Sequence, residues 1–324
     1  MSDHCDGRRF HNLGGVREQH RVLALLRWSA TRHLQLRRRH RTGAGPQTAH
    51  PLPPTPAGAL SVTWIGHSTM LVRLDGLTLL TDPIWSERCS PLTFAGPRRH
   101  HPPGVAFQSL PGIDVVLISH NHYDHLDLPT VRRLAERDDP LFVVPLGLAA
   151  WFRRHRMPRV VELDWWKSVD HGPVRVHAVP AQHFSGRTPW DGNRTLWAGF
   201  VVESGPGRFY FAGDTAFGSF FKEIGRRFGP IRLAALPIGA YAPRWFMGRV
   251  HISPEDAVQA HVDLSSQESV AIHFGTFRLT DEPFGEPERL LQRELTRRGI
   301  PVGCFHVPRL GETIGPRDSA LETR

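Results

Sequence analysis

Residues 118–127 carry the stretch that decides the fold, Ile118-Ser119-His120-Asn121-His122-Tyr123-Asp124-His125-Leu126-Asp127. The apolar run over 113–118 is short and continuous, which predicts a buried strand. Apolar residues at helical spacing over 126–136 predict a helix directly after it. The histidines and carboxylates of this stretch therefore lie on a strand-to-helix loop.

The spacing within this loop predicts two pairs of metal ligands. His120 and His122 are two residues apart, so in extended backbone their side chains leave on the same side. Asp124 and His125 are adjacent, and their side chains diverge as the chain turns into the helix. Imidazole nitrogen combined with carboxylate oxygen suits Zn²⁺ and related first-row ions. The alternative is a solvated loop that happens to be rich in histidine.

Length and cysteine usage set the broad class. A chain of 324 residues can bury a large core, and we expect one large α/β domain with a tail. The three cysteines are isolated, which argues against a thiolate metal site or a disulfide framework and favours a reducing compartment. No apolar run approaches the ~20 residues that span a bilayer, and 22–26 makes a poor secretory signal. A cytoplasmic location is expected.

The net charge of +9 lies almost entirely in the first 50 residues. They hold ten arginines against three acidic residues, a net charge of +7, which leaves +2 for the other 274 residues. A nucleic-acid-binding domain should carry a basic stripe on its folded part, so that class of partner is not expected. The basic amphipathic segment around 22–39 could contact a membrane surface peripherally. Equally, it could be a disordered or docked leader whose charges are solvated.

Composition and turn signals divide the chain into four parts. We predict a basic N-terminal segment (1–42), a Pro/Gly-rich linker (43–58), a folded domain (59–312) and a C-terminal tail (313–324). The domain begins with strands over 60–64, 70–74 and 77–81. The last two are joined by Asp75-Gly76, a strong hairpin signal that predicts an antiparallel start to a sheet.

Five further polar residues follow or adjoin predicted strands. His183, Asp214 and His273 each come just after a strand, and each alone would be read as structural, Asp214 as the cap of a helix starting near Phe217. Asp82 and His67 are candidates to orient a ligand histidine, or its loop, without contacting the metal ion themselves. Their alternatives are a turn-initiating aspartate before proline and a structural histidine.

Together the strand-end residues are enough for two metal ions. Coordination is satisfied if one ion takes three histidines, the other takes Asp124, His125 and His273, and Asp214 bridges both. The three histidines of the first ion are His120, His122 and His183. Two divalent ions less two aspartates and one hydroxide leave about +1, which favours an anionic substrate. A bridging hydroxide would be the nucleophile, with Asp124 orienting the water or taking its proton, so hydrolysis is expected.

These motifs resemble the metallo-β-lactamase superfamily and, more narrowly, the phospholipase D family that hydrolyses N-acylphosphatidylethanolamine. The segments that carry the narrower resemblance are 64–69, 81–83, 120–127, 181–183, 211–215, 239–247 and 271–276. The resemblance covers about 61–308 and implies an α/β fold, a four-layer αβ/βα sandwich of two mixed sheets flanked by helices, with a dinuclear site at its edge.

The resemblance also implies an activity and two substrate contacts. The implied reaction hydrolyses a phospholipid phosphodiester to phosphatidic acid and an N-acylethanolamine. It places Tyr123 and His251 at the substrate, where the alternatives are a packed aromatic and a histidine at a helix entry.

Three functions stay open at this level. They are a lipid phosphodiesterase, a metal-dependent hydrolase of a lactone or a soluble phosphodiester, and a non-catalytic metal-binding protein. We expect two Zn²⁺ ions, although the same ligands suit Mn²⁺ or Fe²⁺.

Overall fold

The computed structural model describes residues 2–15 and 59–315. The chain forms the following strands and helices: β1 (Ser61–Gly66), β2 (Thr69–Leu74), β3 (Leu77–Thr81), β4 (Val115–Leu117), α1 (Leu128–Asp138), β5 (Leu141–Pro145), α2 (Ala149–Arg154), β6 (Val160–Leu163), β7 (Ser168–His171), β8 (Val174–Val179), β9 (Gly199–Ser204), β10 (Gly207–Phe211), α3 (Phe220–Phe228), β11 (Ile231–Pro237), α4 (Arg244–Met247), α5 (Pro254–Asp263), β12 (Ser266–Ile272), α6 (Glu286–Arg298), β13 (Phe305–His306) and β14 (Thr313–Ile314).

The strands form two seven-stranded mixed sheets. The first has the order β14-β1-β2-β3-β4-β5-β6 and the second β13-β12-β11-β10-β9-β8-β7. In the first sheet β1 to β3 are antiparallel and β3 to β6 are parallel. In the second, β7 to β10 are antiparallel and β10 to β13 are parallel. Leu74 pairs with Leu77, which confirms the predicted hairpin at Asp75-Gly76.

Alternating side chains on the strands build two apolar layers. Met70 and Val72 belong to the large core that joins the two sheets, while Leu71 belongs to a second core on the opposite face of the first sheet. Residues of α1 and α2 complete that second core, and residues of α3, α5 and α6 join the large one. The predicted α/β sandwich of two mixed sheets flanked by helices is thereby confirmed.

Both ends of the domain differ from the predicted boundaries. The first sheet extends two residues past residue 312, because Thr313 and Ile314 pair with β1. Residues 2–15, predicted as the start of a separate basic segment, dock on the domain, and Phe10 enters the large core. The rest of that segment, the linker over 43–58 and residues 316–324 lie outside the described residues.

Several elements were not predicted from the sequence. Strand β7 and helix α6 carry mostly polar and charged residues, so their apolar periodicity is weak. The aromatic loop over 239–247 contains the short helix α4. Helix α3 begins at Phe220 with Ser219 at its N-cap, so Asp214 does not cap this helix. Among the described residues, no helix has the length and apolarity needed to cross a bilayer.

The N-terminal cap of α5 gives a test of local stability. Ser253 accepts a hydrogen bond from the backbone N–H of Asp256, whose carboxylate accepts from the backbone N–H of Ser253. We expect Ser253→Ala to lower the free energy of unfolding by about 1 kcal/mol. Ser219→Ala is the matched control, because Ser219 caps α3 without a side-chain hydrogen bond. Equal denaturation midpoints for the two variants would contradict the assignment.

Candidate metal centre

The candidate ligands come from loops at the ends of strands in both sheets. His120 and His122 follow β4 of the first sheet, whereas His183, Asp214 and His273 follow β8, β10 and β12 of the second. Close backbone approach brings these loops together. Gly213 has φ +62°, and a Cβ there would lie 2.5 Å from the Cβ of Ser119, so the residue before Asp214 has no room for a side chain.

Three imidazoles converge in the first cluster. His122 Nδ1 lies 2.7 Å from His120 Nε2 and 3.3 Å from His183 Nε2. All three ligand atoms lie within 4.8 Å of one another. Nitrogen atoms grouped in this way can share one ion, as the sequence predicted for these three residues.

The second cluster collects around the carboxylate of Asp124. Its Oδ2 lies 3.2 Å from His125 Nε2, 3.5 Å from His273 Nε2 and 3.0 Å from His67 Nε2. His67 therefore adjoins the cluster directly. Its carbonyl oxygen also accepts a hydrogen bond from the backbone N–H of His273, so it holds that predicted ligand through the main chain.

Asp214 lies between the two clusters. Its Oδ2 is 3.7 Å from His183 Nε2 in the first cluster and 3.1 Å from His125 Nε2 in the second. Its Oδ1 is 3.2 Å from His273 Nε2. A carboxylate in this position can contact ions in both clusters, as the bridge predicted from the sequence requires.

Asp82 holds one histidine of each cluster. The fully buried carboxylate accepts hydrogen bonds from His125 Nδ1 at 2.6 Å and from Ser119 Oγ at 2.5 Å. Because the Ser119 proton goes to Asp82, Ser119 Oγ accepts from His120 Nδ1 at 2.9 Å. The Nε2 atoms of both histidines are thereby turned toward the clusters, which is how carboxylates behind ligand histidines act in metal sites.

The two clusters differ in electrostatics. Burial lowers the pKa of His122 to about 4, that of His183 to about 3 and that of His120 well below its usual value. These imidazoles are neutral at pH 7, with ring lone pairs available to a cation. In the other cluster, burial opposes the charged forms, but the carboxylates prevail and raise the pKa of His125 well above its usual value.

The donor set fits divalent cations. Burial alone would raise the pKa of Asp124 and Asp214, yet neighbouring histidines hold both pKa values well below the usual range. In the metal-free chain the compensating charge is a proton on His125 or His273. Within residues 2–15 and 59–315, His125 Nε2, His273 Nε2 and Asp214 Oδ1 are also buried, and although ion-pair neighbours lie 3.1–3.2 Å away, none of these atoms makes a hydrogen bond of good geometry. A divalent cation would replace the protons and satisfy these atoms.

The two predicted substrate contacts lie in different surroundings. His251 is buried at the centre, with Nδ1 3.9 Å from Asp214 Oδ2 and its ring 5.1 Å from that of His183. Tyr123 donates its hydroxyl hydrogen to the carbonyl of Arg187, whose guanidinium lies 3.9 Å from the tyrosine ring centroid. Tyr123 also lines an adjoining cleft of about 520 Å³.

Four residues at the centre were given no role from the sequence. Ser119 links Asp82 to His120 through two hydrogen bonds. Thr276 Oγ1 accepts a hydrogen bond from the backbone N–H of His67 at 2.6 Å. Arg187 packs on Tyr123, and Asn12 contacts the main chain of His183. Ser119 is the one that sequence could have indicated, since a hydroxyl beside a ligand histidine is a common hydrogen-bond partner.

Comparisons with known proteins show which family the chain resembles. The family model described as "Beta-lactamase superfamily domain" matches residues 78–274. An uncharacterised protein of Mycobacterium tuberculosis is 48% identical over 241 residues, which cover 72% of this chain and 64% of that relative. N-acyl-phosphatidylethanolamine-hydrolyzing phospholipase D 1 of Caenorhabditis elegans is 41% identical over 251 residues, 74% of this chain and 70% of the relative.

A solved structure shows the same fold. The metallo hydrolase Igni18 of Ignicoccus hospitalis superposes with a TM-score of 0.62 at 20% identity, covering 81% of this chain and 100% of that one. The chain thus spans the whole of this smaller hydrolase, but only 64%, less than two thirds, of the mycobacterial relative.

The role of Ser119 can be tested by removing its hydroxyl. Ser119→Ala breaks the relay from Asp82 to His120, and we expect metal affinity to fall about 10–100-fold. The measurement is Zn²⁺ titration against a chromophoric chelator. Ser68→Ala is the control, because the Ser68 hydroxyl is buried next to His67 and has no hydrogen-bond partner among the described residues. Unchanged affinity in Ser119→Ala would refute the relay.

Proposed function

Because the chain belongs to the beta-lactamase superfamily, we propose that it is a dinuclear metallohydrolase that cleaves the phosphodiester of N-acylphosphatidylethanolamine-type phospholipids. Zn²⁺ is the ion that the imidazole-rich donor set suits best, and Mn²⁺ or Fe²⁺ suit the same ligands. The reaction is of the phospholipase D type: water attacks phosphorus, and the bond to the N-acylethanolamine oxygen breaks.

The observation that carries this proposal is the pair of donor clusters joined by Asp214. His120, His122 and His183 would hold one ion, and Asp124, His125 and His273 the other. Two bound divalent cations would polarise the phosphoryl oxygens and acidify the attacking water. Once the charges of Asp124 and Asp214 are subtracted, the centre keeps a positive charge that favours an anionic phosphodiester.

Asp124 is the residue placed to handle the proton of the attacking water. Its Oδ2 faces the Nε2 atoms of His67, His125 and His273 at 3.0–3.5 Å. The carboxylate can orient the water and accept its proton at this oxygen. His251, buried beside Asp214 with no partner for its Nδ1 among the described residues, is placed to donate a hydrogen bond to substrate.

The surroundings of the cleft favour a lipid as substrate. Apolar side chains of Leu92, Leu126 and Trp151 line it. Two exposed aromatic residues follow lining residues in the sequence: Phe94, directly after Thr93, is 78% exposed, and Trp190, three residues after Arg187, is 75% exposed. Exposed apolar side chains of this size are available to contact a membrane or another apolar surface. The C. elegans relative carries the same lipid substrate in its name.

Peripheral membrane contact through the basic N-terminal segment is part of the same proposal. The arginines between positions 17 and 41 lie outside the described residues, so this part rests on charge alone. Basic segments gain about 1 kcal/mol per Lys or Arg near an anionic leaflet. Such attraction would bring the cleft to its substrate.

The lipid activity is tested with the purified chain loaded with Zn²⁺. We expect phosphatidic acid and an N-acylethanolamine from N-acylphosphatidylethanolamine in mixed micelles, measured by mass spectrometry. Asp214→Asn is the control and should lose activity, because the shared carboxylate is gone. Turnover of a lactone or a soluble phosphodiester without any lipid cleavage would overturn the lipid assignment and favour the alternative hydrolase.

The two exposed aromatic residues give a separate test of how the lipid is reached. We expect the double variant Phe94→Ser, Trp190→Ser to cleave lipid in vesicles at least about tenfold more slowly, since burying one large apolar side chain contributes roughly 1.5–3 kcal/mol. Hydrolysis of a short-chain monomeric substrate should stay unchanged. Val302→Ser is the control, at a residue that is 53% exposed and lies on neither of the two segments that carry Phe94 and Trp190. Equal loss on both substrates would contradict a surface role.

A further inference from the structure

A buried asparagine near the N-terminus holds the main chain of a predicted metal ligand. Asn12 Nδ2 donates to the carbonyl oxygen of His183 at 3.0 Å, and Asn12 Oδ1 accepts from the backbone N–H of His183 at 3.0 Å. The same Oδ1 accepts from Trp197 Nε1 at 2.9 Å. Asn12 is 1% exposed. The side-chain amide of Asn12 thus pairs with both the N–H and the C=O of His183, as the backbone of a neighbouring strand would.

His183 needs such a partner because of where it lies. Residues 180–198 connect β8 to β9 without a helix or strand of their own. The backbone N–H and C=O of His183 therefore have no ladder to join, and buried backbone groups must be paired. His120 and His122, by contrast, share one tight loop, where Ser119 also holds the His120 ring.

The docked segment is itself fixed at several points. The backbone N–H of Phe10 donates to the carbonyl of Asn193, and Arg9 donates to the carbonyl of Gly192. At the other end, the ring of His4 stacks on that of Trp165 with centroids 4.0 Å apart. Within the segment, backbone hydrogen bonds form an antiparallel β-bridge between Cys5 and Phe10. The position of Asn12 is therefore determined by more than its own contacts.

The loop that the segment supports also contacts the first ligand loop. The backbone N–H of Gly186 donates to Asn121 Oδ1 at 2.7 Å. Arg187 donates to the carbonyl oxygens of Asn121 and Leu126, both at 2.8 Å. Residues 2–15, the loop after β8 and the loop after β4 thus form one connected hydrogen-bonded unit around the three-histidine cluster.

The His183 ring is held from two sides as a result. Its Nδ1 donates to the carbonyl of Val250 at 2.9 Å, which directs Nε2 toward His122. Asn12 fixes the backbone from which the ring projects. A metal site is sensitive to such support, because ligands must be held to within about 0.5 Å of the binding geometry.

We propose that Asn12 is a positioning residue for His183, so that residues 2–15 complete the three-histidine metal site. This inference rests on the proposed function, in that it takes the three histidines as the ligands of one ion. It adds to that function a part of the chain more than 40 residues before the folded domain's first strand. The second cluster, around Asp124, has no contact with Asn12 among its hydrogen bonds and should not depend on it.

The test is metal binding by the full-length chain. Metal-free wild type and Asn12→Ala are titrated with Zn²⁺ against a chromophoric chelator, and with Co²⁺ while its visible absorption is followed. We expect wild type to bind two ions, and Asn12→Ala to bind one of them about 10–100-fold more weakly. The other ion should keep its affinity. Asn12→Asp keeps the acceptor for the His183 N–H but loses the donor, so it should give an intermediate loss.

Leu13→Ser, at an adjacent residue that is 48% exposed, is the matched control and should bind both ions as wild type does. Thermal unfolding of each metal-free variant separates positioning from folding. Full affinity for both ions in Asn12→Ala, or equal weakening of both together with lost stability, would overturn the positioning role. Failure of wild type to bind two ions would instead overturn the proposed function itself, so the two failures are distinguishable.

Discussion

One buried carboxylate, Asp82, orients the centre. It accepts hydrogen bonds from His125 Nδ1 and from the backbone and side chain of Ser119, and through Ser119 it directs His120. The residue adopts φ +35°, a conformation uncommon outside glycine and tolerated where surrounding contacts over-determine it. His125 donates its Nδ1 proton to Asp82 and His120 donates its own to Ser119, so the Nε2 atoms of the two histidines face different clusters. The relative position of the two clusters thus depends on a single side chain behind them.

The two clusters differ in the charge that they bury. The three histidines of the first are neutral, so the cluster costs little to bury and offers lone pairs to a cation. The second contains Asp124 and approaches Asp214, and two buried carboxylates require positive charge. In the metal-free chain, carboxylates overcome burial and raise the pKa of His273 to about 9, which supplies that charge as a proton. At pH 7 a cation bound there would compete with a proton, whereas one bound at the neutral cluster would not.

Sequence predicted the parts of this centre that are local. The strand before His120, the turn after it and the strand ends before Asp214 and His273 follow from short apolar runs and their exits. Sequence could not show which loops meet, since that depends on the order of strands in two separate sheets. Asn12 was missed because its partner, His183, is 171 residues away and no periodicity marks either residue. Helix α6 was missed because only a few of its side chains are buried.

The choice of substrate must come from the loops, because fold and donor set are shared by hydrolases of unlike substrates. In this chain the loop after β8, which would help to select the substrate, is hydrogen-bonded to the loop that carries candidate ligands after β4. Trp190 lies three residues from Arg187, whose guanidinium donates to the carbonyl of Asn121 between two candidate ligands. Residues 2–15 hold the same loop from the other side at Gly192 and Asn193. A contact that moves this loop would therefore also bear on His183, so that in the proposed function substrate recognition and ligand geometry would share one set of hydrogen bonds.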